Sequence, residues 1–438
     1  MKSSPAARWL LAVIILAGLA GWAVTGLAIY VRLASLGLIL LFGAAIWTLL
    51  SLRGVSLNRA ARSLRASVGE LFEEQFELKN STWPGCAWLE ILNQSDLPAA
   101  SGSRLLTMVG AHQRRFYAAR TLLTRRGAFR LGPTSVISGD PFGIFAVHRQ
   151  VLSSDMLIVL PMMVAIRDFP PPPGLLPGGK AVRLHSMDVT PHAAGVREYV
   201  PGDPMKRIHW PSTARRGRFM VKEFEQDPQA DIWIFLDAQR EVQASLPGQP
   251  QPAYEENLWL RRPKVQLPPD TFEYAVSVVA SLAGYFLGER RSVGLVCAMG
   301  AFTVVPAERG TRQVNKIMET LAFLRPEGKM PLHGLVDMQA KQLPLGSGVI
   351  LVTSSTRPEL LLAAERLQRR SLRPVVTLLE PETFGGSGQS ETIAAGLLKR
   401  NVPVCRVKYG DDLSVQLALP AVYFQRSYMP RAHFNVQG

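Results

Sequence analysis

Residues 9–31 read WLLAVIILAGLAGWAVTGLAIYV and residues 33–52 read LASLGLILLFGAAIWTLLSL, with Arg32 alone between them. A helix rises about 1.5 Å per residue, so either run is long enough to cross a hydrocarbon core roughly 30 Å thick. Two such runs in succession predict a transmembrane helical hairpin over residues 1–55. A cleaved leader explains them less well, because its apolar region is about 7–15 residues long and no second span should follow at once. Gly18, Gly21 and Gly26 in the first run, with Gly37 and Gly43 in the second, would let the two backbones approach closely.

Basic residues set the expected orientation. Lys2 and Arg8 flank one outer end, Arg53, Arg59, Arg62 and Arg65 flank the other, and Arg32 stands alone at the turn. The positive-inside bias then places both termini, and everything after the hairpin, in the cytoplasm of a multi-pass cell-membrane protein. The three cysteines, Cys86, Cys297 and Cys405, lie far apart in no metal-like spacing, which suits buried thiols in a reducing compartment.

The net charge of +15 is concentrated in Arg104–Arg130 and Arg197–Lys222, besides the arginines after the hairpin. Within and after the second stretch Glu198, Asp203, Glu223 and Glu225 are interleaved with the cations. Internal pairing therefore explains the charge better than a nucleic-acid track does.

The body divides by composition. Residues 66–165 carry short strand candidates at Leu71–Leu78, Trp88–Leu92, Phe116–Leu123, Ala128–Leu131 and Leu157–Leu160, a pattern predicting a β-sandwich. Residues 166–230 hold a connector, with four prolines from Pro170 to Pro173, and a charged segment. Residues 231–420 alternate apolar strands with helices, beginning at Ile232–Leu236, then Ser292–Ala298, Gly348–Thr353 and Pro374–Leu379. Strands apolar on both faces predict a mostly parallel sheet covered on both sides. Asp270, followed by Glu273, resembles a capping box opening the helix after the first of these strands. Residues 421–438 form a tail.

The densest motif runs from Arg197-Glu198-Tyr199 through Gly202-Asp203 and Lys206-Arg207 to Trp210, Ala214-Arg215 and Gly217. It resembles the signature of domain of unknown function family 58, near R-E-Y-x-x-G-D-x-x-R-x-I-x-W-x-x-x-A-R-x-G, with Lys206 at the middle arginine. Arg126-Gly127, Leu131-Gly132-Pro133 and Asp140-Pro141-Phe142-Gly143 are similar to that family's β-region turns. The resemblance implies a von Willebrand factor A-like α/β domain. It also implies company with a MoxR-type AAA+ ATPase, and at times with a transglutaminase-like membrane protein. It brings no catalytic residue and no cofactor. From the residues themselves the segment reads as an interdomain brace of ion pairs around a packed Trp210, or as a surface on which a partner docks.

A-type domains often bind a divalent cation through an Asp-x-Ser-x-Ser run after the first strand. Here that run is Asp237-Ala238-Gln239-Arg240-Glu241, so Asp237 is the one retained ligand-type residue of a degenerate site. Gly174–Lys180 matches G-x-x-x-x-G-K, but it follows prolines and ends in Ala181, so it is a connector and not a phosphate loop. The resulting expectation is a non-catalytic, membrane-anchored scaffold. A hydrolase at the α/β sheet edge, or a basic surface for anionic lipid or polymer, stands as the alternative.

Overall fold

A computed structural model describes residues 5–81, 83, 85–153, 155–167, 169, 193–200, 205, 208–224, 231–247 and 266–418. The chain forms two compact units. The first comprises residues 1–164, 245–281 and 315–325, and the second the remainder.

In the first unit, α1 (Pro5–Thr25) and α2 (Ala28–Ser51) form the apolar hairpin, and both are long and apolar enough to cross a membrane. The turn is Gly26-Leu27, with Gly26 at φ +66° and its N–H donated to Trp22 O at 2.8 Å. Arg32 is therefore not the hairpin break expected from its charge. It lies inside α2, because a glycine free to adopt positive φ ends α1 earlier. A Cβ on Gly18 would meet Tyr30 O and Ala34, one on Gly21 the Tyr30 ring, and one on Gly37 the Ile15 side chain. These three allow the close approach; Gly43 faces open space and does not.

Among the described residues ten strands follow in this unit: β1 (Val55–Ala61), β2 (Arg65–Ser67), β3 (Leu71–Asn80), β4 (Cys86–Asn93), β5 (Arg104–Val109), β6 (Arg114–Leu122), β7 (Gly127–Arg130), β8 (Thr134–Gly139), β9 (Ala146–Val151) and β10 (Met156–Leu160). They form sheets ordered β1-β3-β6, β5-β4-β8-β9 and β2-β10-β7. The first two share a core in which Leu57, Phe76 and Leu78 from one sheet meet Leu89, Ile91 and Val136 from the other. The third contributes Leu157 and Val159 to a separate cluster with Phe72, Leu123 and Leu131.

Along β3 the inward row is Phe72, Glu74, Phe76, Leu78 and Asn80. Glu74 interrupts an otherwise apolar row because Arg59 reaches it from β1, with Nε to Oε1 at 2.7 Å and the guanidinium over the Phe76 ring. Burial raises the Glu74 pKa against the pull of Arg59. Arg59, which the sequence counts among the cations flanking the hairpin, is therefore largely buried in the protein. Arg65 likewise pairs with Glu319 at 2.7 Å. Strand β1 starts four residues after α2 ends and carries Arg59 into the protein.

In the second unit, β11 (Ala193–Glu198) pairs antiparallel with β12 (Met220–Phe224), and α3 (Trp210–Arg216) lies between them in sequence. The larger sheet contains β13 (Ile232–Leu236), β14 (Val293–Ala298), β15 (Phe302–Glu308), β16 (Gly348–Thr353), β17 (Arg373–Leu379) and β18 (Val404–Val407). Its order is β15-β14-β13-β16-β17-β18, parallel throughout except for β15 at the edge. Order reverses at β13, a doubly wound arrangement in which ligands meet the carboxyl ends of the strands.

The helices are α4 (Thr271–Gly288), α5 (Thr311–Phe323), α6 (Leu332–Gln339), α7 (Glu359–Arg369), α8 (Ser390–Lys399) and α9 (Leu413–Leu417). Leu335, Val336, Ala364, Leu367 and Leu397 of α6–α8 pack on Phe235, Leu351 and Val376 of the sheet.

The α/β stretch expected as contiguous over 231–420 is not one compact unit, since 245–281 and 315–325 cluster with the first. Arg126 is the reason at the level of side chains. Its guanidinium is buried and donates to Leu321 O at 3.1 Å and Leu324 O at 2.8 Å, while pairing with Glu273. Asp270 does cap α4, accepting from Phe272 N at 2.7 Å. The Glu273 carboxylate goes to Arg126, so the reciprocal half of a capping box has another use.

Candidate functional site

The sheet edge after β13 begins with Asp237, which is 1% exposed. Its Oδ2 accepts the Thr353 hydroxyl at 2.6 Å and its Oδ1 accepts Gln239 N at 3.1 Å. Removal from water pushes its pKa up to about 6, opposed by those two hydrogen bonds and by the positive charges of Arg357 and His333. Gln239 donates from Nε2 to Glu241 Oε2 at 3.2 Å, and Arg357 donates to the same oxygen at 3.0 Å. Beside this group a cavity of about 90 Å³ is lined by Gln239, His333, Ser355, Arg357 and Glu359.

This set does not fit a divalent cation. Both oxygens of Asp237 are committed to internal donors, Glu241 is engaged by Gln239 and Arg357, and a guanidinium stands where further oxygen ligands would be needed. Among the described residues no group of three His, Cys, Asp or Glu is placed to hold a metal. The cavity lining offers a guanidinium, an imidazole and the Glu359 carboxylate together. His333 fits no ligand spacing in the sequence and Arg357 stands in no motif; the parallel strand order brings both to the Asp237 edge.

The signature segment is a hairpin-like element in which Ile208, Met220 and Val221 are buried and the described residues of α3 and its C-terminal turn are largely exposed. Its strands pair Arg197 with Val221 and Glu198 with Met220, and Tyr199 N donates to Phe219 O at 2.9 Å. Gly217 closes α3 at φ +67°, its N–H donated to Thr213 O. Ala214 and Arg215 lie on α3; Gly202, Asp203, Lys206 and Arg207 lie outside the described residues. Glu198 pairs with Arg218 in the open, and the Tyr199 ring meets Phe219 edge-on.

Trp210 corrects the expectation of a packed indole: it is 64% exposed, and Met205 and Phe219 are exposed too. Its place at the start of α3, a helix of seven residues with none buried, explains why it finds no core.

The strand order and antiparallel edge define a doubly wound α/β domain, which follows this hairpin in the sequence. The model of the family described as "Protein of unknown function DUF58" matches residues 195–245. The uncharacterized protein YeaD of Bacillus subtilis (strain 168) is 23% identical over 239 residues, 54% of this chain and 51% of YeaD. The chain thus spans about half the length of that relative.

Among solved structures, the conserved hypothetical protein BatB from Bacteroides thetaiotaomicron aligns with TM-score 0.30 and 14% identity, over 45% of this chain and 97% of BatB. Proximal thread matrix protein 1 from the mussel byssus aligns with TM-score 0.29 and 13% identity, over 43% of this chain and 46% of that one.

Proposed function

We propose that this chain is a non-catalytic membrane-anchored scaffold, with a spanning hairpin, a β-sandwich domain and an A-type α/β domain displayed in the cytoplasm. The observation that carries the reading is the exposure of signature side chains. Trp210, Met205 and Phe219 stand in solvent, as do Arg215, Arg216 and Arg218, a composition typical of anchors that a partner covers. Arg8 and Arg53 at the outer ends of the hairpin support cytoplasmic termini. The family resemblance supports a MoxR-type AAA+ ATPase as the partner, and a transglutaminase-like membrane protein as a further one.

The test is binding of a purified MoxR-type ATPase to the full chain in nanodiscs. Trp210→Ala and Arg215→Ala should weaken binding while leaving melting temperature and protease resistance unchanged. Equal binding by wild type and variants, or none by wild type, would overturn this reading.

A second reading, a hydrolase at the sheet edge, draws on the raised Asp237 pKa, a property that marks acid–base residues. Turnover abolished by Asp237→Ala would favour it.

A further inference from the structure

The strand registers bring three loops of the β region to the end at which α2 enters. Val55 opposes Asn80, Lys79 opposes Arg114, Cys86 opposes Val109, and Gly139 opposes Ala146. The loops 80–86, 109–114 and 139–146 are therefore neighbours of the α2–β1 junction. Direct bonds fix the first of them there: Ser81 N donates to Gly54 O at 2.8 Å, and the Cys86 thiol to Ser51 O at 3.0 Å.

A large apolar side chain stands in solvent on or beside each loop. Trp83 is 79% exposed in the first, Met108 is 76% exposed where the second begins, and Phe142 is 65% exposed in the third. Two of these exposures, at Met108 and Phe142, stand on hydrogen-bonded backbone. Asn80 binds across to Gln113 O and Gly110 O, Arg115 holds Met108 O at 2.9 Å, and Asp140 accepts from the N–H groups of Phe142, Ile144 and Phe145.

The same end is cationic. Arg53 is exposed just after α2, and exposed Lys79 and Arg114 face each other directly across β3 and β6. Like charges opposite one another in a sheet are unfavourable unless an anion lies against them.

We propose that this end of the β region is a membrane-docking face: Trp83, Met108 and Phe142 enter the headgroup layer while Arg53, Lys79 and Arg114 bind anionic phospholipid. The occupant follows from continuity, because the face surrounds the exit of α2, and from charge. Tryptophan is favoured at the headgroup depth, and clustered cations beside a span attract anionic lipid. The inference rests on the membrane-anchored reading of the hairpin.

The test uses the full chain in nanodiscs containing phosphatidylglycerol, spin-labelled at Phe142→Cys or Met108→Cys. Leu152→Cys, exposed just beyond the opposite end of β9, reports water, and Leu16→Cys in α1 reports the span. Labels at 142 and 108 should lose collisions with a water-soluble nickel chelate and gain collisions with oxygen, whereas 152 should not. Pure phosphatidylcholine discs, or Lys79→Glu with Arg114→Glu, should return both labels toward the 152 values.

If 142 and 108 match 152 while 16 reads lipid, the docking face is wrong and the anchor stands. A water-like reading at 16 overturns both. Depth unchanged by lipid charge overturns the role of the cations. Protection that persists in detergent assigns the face to another protein or a second copy.

Discussion

The Thr353 hydroxyl donates to the buried Asp237 carboxylate at 2.6 Å, while the same oxygen receives Ser355 N at 2.9 Å. One threonine thereby ties the carboxyl end of β16 to that of β13.

Asp237 holds its proton more tightly folded than unfolded, with its pKa up from 3.8 to about 6. Its stabilising contribution is thus complete below pH 3.8 and is lost as pH rises through about 6, on the order of 3 kcal/mol in all. Melting scans of the wild type against Asp237→Asn between pH 4 and 7 check this. The wild type should lose stability relative to the variant across that window; parallel curves would refute it.

Magnesium or manganese should leave the melting temperature unchanged, because the Asp237 oxygens already have donors and Arg357 faces the gap. A saturable rise abolished by Asp237→Asn would show that the cluster rearranges around a cation.

Arg126→Ala should be the most damaging single change in the first unit. It strands Glu273 and unbonds two carbonyls at once, and breaking a buried pair costs about 3–5 kcal/mol. Glu273→Gln keeps a hydrogen-bond acceptor beside the guanidinium and should cost less. Denaturant titration of both, with proteolysis around residues 315–325, measures the difference.

The native cysteines are buried, and burial raises the thiol pKa of Cys86 and lifts those of Cys297 and Cys405 to about 12. They should stay silent to thiol reagents until the protein unfolds. Against that background Val415→Cys, exposed on α9, should resist a membrane-impermeant reagent in intact cells and react after lysis. Labelling in intact cells would reverse the proposed topology.

Ile232–Leu236 and Gly348–Thr353 are legible to the residue in the sequence, because strands buried on both faces are unbroken apolar runs. Arg104–Val109 and Ala146–Val151 are not, being edge strands with most side chains exposed and no apolar rhythm to follow. Glu74 hides the alternation of β3 in another way, since its partner Arg59 lies fifteen residues upstream. At the sheet edge Asp237 is visible from its place after β13, but Thr353 and Arg357 become its neighbours only through strand order. An exposed Trp210 runs against the usual fate of tryptophan, and local sequence carries no sign of it.

Only residues 52–54 separate α2 from β1, and Arg149 reaches from β9 to the carbonyls of Leu52 and Val55. This junction has torsional stiffness: turning the helix pair about the bilayer normal must turn the β region by the same angle. Two copies diffusing in one membrane would then meet with azimuth as their remaining rotational variable. Lateral association would forfeit less orientational entropy than it would for bodies on flexible tethers.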